Sequence, residues 1–213
     1  MNIILFGPPG AGKGTHSNYI ANKFNYFQIS TGDLLRHEIK KNNKLEKKIF
    51  SLISKGNFVS DEIINSILLN IILKPELKNK IIFDGYPRNL LQAENLEKIL
   101  KKTNQDIGFV IYLNVSREII EKRILGRLIC TKCNKILNKF TNPKELQMHF
   151  CGKEFLKKRQ DDNRETIIKR YNTYMQQTNP ILKFFSNKSN FFEIDASGEM
   201  DEITTKIEEI LRV

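Results

Sequence analysis

The chain has 213 residues, enough for one substantial core carrying small insertions and too few for two large domains. Hydrophobic residues make up 40% and charged residues 28%, which excludes a disordered polyelectrolyte and fits an ordinary globular protein. Lys and Arg number 35 against 24 acidic residues, a formal charge of +11; this suits an anionic ligand, but the excess is scattered Lys, as in K-K-N-N-K-L-E-K-K at 40–48, which reads as solvated helix faces and not as one nucleic-acid-binding patch.

Asn2 to Phe6 is a continuous apolar run closed by Gly7-Pro8-Pro9-Gly10, the pattern of a strand buried on both faces and then a tight loop. A helix is expected to begin near Lys13. Met1 enters the first run directly, without a basic leader and cleavage site, and no apolar stretch approaches membrane-spanning length, so a cytoplasmic protein with no membrane partner is expected. A weaker strand falls at Tyr26 to Ile29, after which Ser30 to Val59 carries helical content and no strand. Ser60 reads as the N-cap of a helix bearing Ile63, Ile64, Ile67, Leu68 and Ile71 on one face. Strands follow at Lys80 to Asp84 and Gly108 to Leu113. Leu128 to Asp162 breaks the rhythm, with little helical periodicity. A last strand at Phe191 to Asp195 precedes a helix marked by Met200, Ile203, Ile207, Ile210 and Leu211. Strands alternating with helices imply an α/β fold, a parallel sheet of about five strands with helices on both faces. The two interruptions are expected to be insertions over the ligand edge of that sheet.

Gly7 to Thr15 read G-P-P-G-A-G-K-G-T between an expected strand and an expected helix, the context that a G-x-x-x-x-G-K phosphate loop requires. Glycines let backbone N–H groups turn toward phosphate oxygens, the helix N-terminus adds partial positive charge, and Lys13 reaches the β and γ phosphates of a nucleoside triphosphate. Gly14 stands where a magnesium-binding Ser or Thr usually follows the lysine, so the metal needs another anchor. Asp84, at the carboxyl end of an expected strand, is the natural candidate.

With this loop, S-T-G-D-L-L-R at Ser30 to Arg36 and D-G-Y-P-R at Asp84 to Arg88, the chain resembles the adenylate kinases, of the long-lid bacterial type. The resemblance continues through Gln92, R-I-L-G-R at Arg123 to Arg127, R-Q-D-D at Arg159 to Asp162, Arg170 and D-A-S-G at Asp195 to Gly198. It implies the P-loop nucleoside monophosphate kinase fold, with a five-stranded parallel sheet. The core would comprise 1–29, 60–127 and 163–213, with an AMP-binding insertion at 30–59 and a lid at 128–162. It implies transfer of the γ-phosphoryl group of ATP to AMP with Mg2+, giving ADP, by a monomer that takes these nucleotides as its partners. By position, Gly10, Ala11, Gly12, Lys13, Gly14, Thr15, Arg123, Arg127, Ile136, Leu137 and Gly198 would hold ATP. Thr31, Arg36, Asn57, Phe58, Val59, Gly85, Tyr86, Pro87, Arg88, Gln92, Arg159 and Arg170 would hold AMP, with Gln92 reading the adenine edge. Lys13, Asp84, Arg88, Arg123, Arg159 and Arg170 would carry the chemistry. Arg123 and Arg127 are spaced i, i+4 on one expected helix face, a repulsive pair that an anion relieves. Asp161 and Asp162 are suited to orienting the lid arginines.

Cys130, Cys133 and Cys151 are an odd number confined to one region, which favours a reducing compartment and a local metal site over a disulfide framework. The resemblance implies a structural Zn2+ in the lid, but Met148 stands where another ligand is expected. His149 would complete the set, Glu154 is the weaker alternative, and thiols that merely pack remain a third reading. Two rivals remain open. One is a kinase for another nucleoside monophosphate, against which Thr31 and Gln92 weigh. The other is a cysteine-knuckled nucleic-acid-binding regulator, against which the lack of interleaved aromatic and basic residues weighs.

Overall fold

The computed structural model describes residues 1–32, 34 and 59–212. Arg36, Asn57 and Phe58, with most of the interruption at 30–59, lie outside the described residues. The chain runs through β1 (Asn2–Phe6), α1 (Lys13–Phe24), β2 (Phe27–Ser30), α2 (Asp61–Ile72), β3 (Ile81–Asp84), α3 (Leu90–Lys102), β4 (Ile107–Asn114) and α4 (Arg117–Gly126). It then forms β5 (Arg127–Cys130), β6 (Ile136–Asn138), α5 (Pro143–Gln147) and β7 (Leu156–Lys157). It closes with α6 (Arg164–Thr173), a π-turn over Tyr174–Thr178, α7 (Ile181–Ser186), β8 (Phe191–Asp195) and α8 (Met200–Leu211).

The five apolar runs become five parallel strands in the order β2-β3-β1-β4-β8. Every residue of β1 is buried, as a strand covered on both faces requires. Alternation along it divides the core in two. Ile4 and Phe6 pack with Ile64 and Leu68 of α2, Leu96 and Leu100 of α3, and Phe185 of α7. Ile3 and Leu5 pack with Ile20 of α1, Ile120 and Ile124 of α4, Ile167 of α6, and Ile203 and Ile207 of α8. Each such side chain contributes about 1.5–3 kcal/mol on burial.

Strand order also fixes where a ligand can bind. β1 lies between β3 and β4, so the chain leaves β1 toward one side and later returns on the other, which opens a crevice at the carboxyl ends of β1 and β3. The register sets Leu5 opposite Asp84 and Ser30 opposite Asp84, so three loops emerge together at that edge. Gly12 then starts α1 with φ +99°, a left-handed conformation that glycine adopts without strain.

Two local expectations change. α4 stops at Gly126, and Arg127 has the extended φ −67°, ψ 135° of a residue entering β5, so Arg123 and Arg127 do not share a helix face. Pairing of Arg127 to Ile129 with Asn138 to Ile136 captures the chain as strand one turn earlier than helical spacing suggests. Leu128 to Asp162 is also more ordered than its sequence pattern implies: β6-β5-β7 form a small antiparallel sheet. Ser60 does take the N-cap position of α2, without a hydroxyl capping bond; Asp61 and Glu62 in the first turn supply the negative charge favoured there.

Candidate active site

Lys13 begins α1, and its ammonium donates to the carbonyls of Gly7 at 2.7 Å and Pro8 at 2.9 Å. Burial pulls its pKa down to about 8; Asp84 opposes that shift, and Arg88, Arg127 and Arg170 reinforce it. Three arginines that are distant in sequence therefore act electrostatically on one lysine. Asp84 ends β3 and is buried, and its Oδ2 accepts from Gln28 Nε2 at 3.1 Å. A Cβ at Gly14 would stand 3.5 Å from that same Oδ2, so position 14 and Asp84 face each other across the loop.

The D-G-Y-P-R turn follows β3. Gly85 O accepts from Arg88 Nε at 2.7 Å and from the Thr31 hydroxyl at 3.0 Å, and Arg88 Nη2 donates to Thr31 Oγ1 at 3.2 Å. Thr178, at the end of the π-turn, donates to Arg88 O at 2.9 Å and fastens the turn from behind. π-turns often re-aim a side chain beside functional groups, and this one brings Thr178 to Arg88. Gln92 lies in the first turn of α3 and its Oε1 accepts the Arg88 N–H at 2.7 Å.

On the opposite wall, Arg123 donates from Nη1 to Ala11 O at 3.5 Å and from Nη2 to Gly198 O at 3.1 Å, linking α4 to the phosphate loop and to the turn before α8. Arg127 forms a fork with Asp162, with Nε on Oδ2 at 2.8 Å and Nη2 on Oδ1, and Arg170 pairs with Asp161. The two aspartates thus orient the arginines as their sequence position suggests. Asn138 anchors the base of the small sheet: its Nδ2 donates to Arg123 O at 2.7 Å, and its Oδ1 accepts from Phe140 N at 2.9 Å.

Lys13, Asp84, Arg88, Arg123, Arg127, Arg159 and Arg170 all line one cleft of about 1870 Å³, together with Gly10, Gly12, Gly14, Thr15, Val59, Gly85, Pro87, Ile136, Leu137 and Gly198. Thr31, Ala11, Tyr86 and Gln92 are buried and do not line it; Thr31 and Gln92 bond to Arg88, and Ala11 to Arg123, which do. Several contributors were not singled out from the sequence: Gln28, Asp61, Asn89, Asn138 and Thr178. Asn89 had a legible signal, because N-x-x-Q is the pattern of an N-capping pair, and Asn89 Oδ1 does accept the Gln92 N–H at 2.8 Å. Gln28, Asp61 and Thr178 act through contacts distant in sequence that no local pattern marks, and Asn138 adds to its local turn a bond to Arg123 O that none marks.

His16 stands beside the phosphate loop. Thr204 spends its hydroxyl proton on Met200 O at 2.8 Å, so it accepts from His16 Nδ1–H at 3.1 Å, which fixes the tautomer. Burial, then the nearby Arg123, hold the imidazole down to about 4.

Where the small sheet ends at Cys130, that residue with Cys133, His149 and Cys151 brings one potential ligand atom each to within 4.8 Å of the others. Cys133 Sγ lies 3.9 Å from His149 Nε2. Met148 is 74% exposed. The Glu154 carboxylate folds against Gly152, where an added Cβ would meet it at 2.4 Å. Among the described residues, His149 and not Glu154 joins the three thiols.

No helix among the described residues is long and apolar enough to cross a membrane. The family profile described as adenylate kinase matches residues 5–190. Over 213 residues, all of both chains, the sequence is 58% identical to a protein named adenylate kinase from Pelagibacter ubique. It is 37% identical over the full length of the Thermosipho melanesiensis protein of that name, and 39% over the full length of the Rickettsia africae one. With its phosphate loop, its D-G-Y-P-R turn and its converging arginines held on a five-stranded parallel sheet, the chain belongs to the adenylate kinase family.

Proposed function

We propose that this protein transfers the γ-phosphoryl group of ATP to AMP, forming two ADP, reversibly and with Mg2+, and so balances the adenine nucleotide pool. The observation that carries the reading is the convergence of Lys13 and five arginines on a single cleft that also holds one buried carboxylate, Asp84. A phosphate acceptor is already anionic, so the transfer needs neither a general base nor a covalent nucleophile. The residues have three tasks. Gly10 to Thr15, Arg123, Arg127, Ile136, Leu137 and Gly198 hold ATP. Thr31, Val59, Gly85 to Arg88, Gln92, Arg159 and Arg170 hold AMP, with Arg36, Asn57 and Phe58 assigned to the same nucleotide by sequence. Lys13, Arg88, Arg123, Arg159 and Arg170 align the two phosphates and stabilise charge on the moving group.

Mg2+ fits the site through Asp84: a hard cation needs a carboxylate and otherwise waters and phosphates, and position 14 offers no hydroxyl. When bound it would neutralise charge on the phosphates. Residues 1–29, 60–127 and 163–213 would form the core, 30–59 the AMP-binding insertion and 128–162 the lid, whose closure excludes water. The thiol and imidazole set of Cys130, Cys133, His149 and Cys151 suits a structural Zn2+ in that lid, with four ligands and no open position for catalysis. A monomer in the cytoplasm is part of the same reading.

Phosphorus NMR with Mg2+, ATP and AMP, run in parallel with GMP, UMP and CMP, tests the function. ADP should form with AMP, and Arg88→Ala should slow it by about 10²–10³-fold, the usual loss when one stabilising donor is removed. ATP that survives with every acceptor would defeat the proposal.

A further inference from the structure

The surroundings of Gln92 carry an inference that rests on its proposed contact with the base of AMP. Gln92 is 1% exposed, and both ends of its side-chain amide are engaged. Oε1 accepts the Arg88 N–H at 2.7 Å, and Nε2 donates to Asp61 Oδ1. Asp61, the first residue of α2, also accepts from Asn89 Nδ2 at 3.1 Å through Oδ2. Asn89 cannot turn its own amide over, because its Oδ1 is held by the Gln92 N–H at 2.8 Å.

A carboxylate only accepts and a backbone N–H only donates, so these neighbours dictate which end of the Gln92 amide is oxygen. The reversed amide would oppose oxygen to carboxylate and N–H to N–H, in a buried position where water relieves neither contact. With one N–H and one lone pair spent, one donor and one acceptor remain in a fixed order. Adenine offers a donor at N6 beside an acceptor at N1; a 6-oxopurine offers the reverse, an acceptor at O6 beside a donor at N1. An amide free to turn satisfies either base, whereas a locked amide satisfies one. We infer that Asp61 is a specificity-determining positioning residue, which locks the polarity of the Gln92 amide and through it selects adenine over 6-oxopurines at the acceptor site.

The test compares kcat/KM for AMP with that for IMP, which has the 6-oxopurine edge without an added 2-amino group. In Asp61→Asn the new side chain can accept from Asn89 while turning its own N–H toward Gln92 Nε2, so one of the two restraints on the amide becomes a repulsion and only the Arg88 N–H still holds the native order. The AMP:IMP ratio should fall by about tenfold or more, chiefly through a higher KM for AMP, with the KM for ATP unchanged. Asp61→Ser, whose hydroxyl both donates and accepts, is run beside it so that the ratio is read even where one variant fails to fold. Equal loss with both acceptors would make Asp61 merely structural and overturn the inference, as would a wild-type enzyme indifferent between AMP and IMP. A wild-type enzyme that phosphorylates no monophosphate would defeat the parent proposal instead.

Discussion

A buried imidazole among cations has a direct effect on stability, and His16 is such a group. Its folded pKa of about 4 lies below its ordinary 6.5, first through burial and then through Arg123. Between those values the unfolded chain takes up a proton that the folded chain refuses, so stability is full above pH 6.5 and falls as pH drops toward 4. Across the whole window the loss is roughly 3 kcal/mol. Gln can still donate to Thr204 and does not titrate. His16→Gln should therefore narrow the difference in melting temperature between about pH 7 and about pH 4.5 by roughly 5 °C, read by circular dichroism; an unchanged gap would place the acid sensitivity elsewhere. At this scale the sequence revealed the charged residues well, since a glycine-rich loop and repeated arginines have few other uses. It concealed Asp61 and Thr178, because their importance lies in which distant amide or carbonyl they meet.

Among the elements, α6 follows the small sheet and carries Arg170. Its N-terminus is capped by Asn163, whose Oδ1 accepts the Thr166 N–H at 2.9 Å. Asn163→Ala should cost about 1 kcal/mol. That corresponds to a fall of about 2–4 °C in melting temperature for a chain of this size, while Asn163→Asp should cost little. The small sheet β6-β5-β7 invites a second measurement. If Cys130, Cys133, His149 and Cys151 hold Zn2+, metal analysis of protein prepared without chelator should give one zinc per chain. Chelation should then lower the melting temperature, and Cys133→Ser should abolish that difference. Protein free of zinc whose melting is indifferent to chelator would leave the thiols as packing groups. The strands of the main sheet were legible because each is a short apolar run with turn signals at its ends. β5 was not: its first residue continues a helical charge spacing, and only pairing with Ile136 to Asn138 makes it a strand. β7, with two residues, is too short to leave a pattern.

For the molecule as a whole, the cleft of about 1870 Å³ exceeds the roughly 300–1,000 Å³ usual for a single small-ligand site, as a site for two nucleotides requires. Its cations repel one another, and phosphates from both sides would remove that repulsion. Binding a non-hydrolysable ATP analogue together with AMP should therefore draw the walls inward. Solution scattering should report a smaller radius of gyration with both ligands than with neither, and an equal radius would argue against closure. The architecture was legible from alternation of strands and helices together with the phosphate loop, which fixed a parallel sheet and the edge at which ligands bind. The cleft's back wall was not, since it is built from side chains buried behind the residues that touch it.

The fork between Arg127 and Asp162 joins the two ends of the segment proposed as the lid, with the Asp162 side chain only 1% exposed. Residues 128–161 therefore begin and end at one sealed doorway. Chain length beyond such a doorway is cheap, since each doubling of a closed loop costs only about 0.6 kcal/mol. On the proposed division, the lid is in this sense an interchangeable part: a lineage could lengthen, shorten or replace it at residues 127 and 162 while the main sheet stays as it was, and a chimaera spliced at those two positions should keep the melting transition of the rest even where its turnover changes.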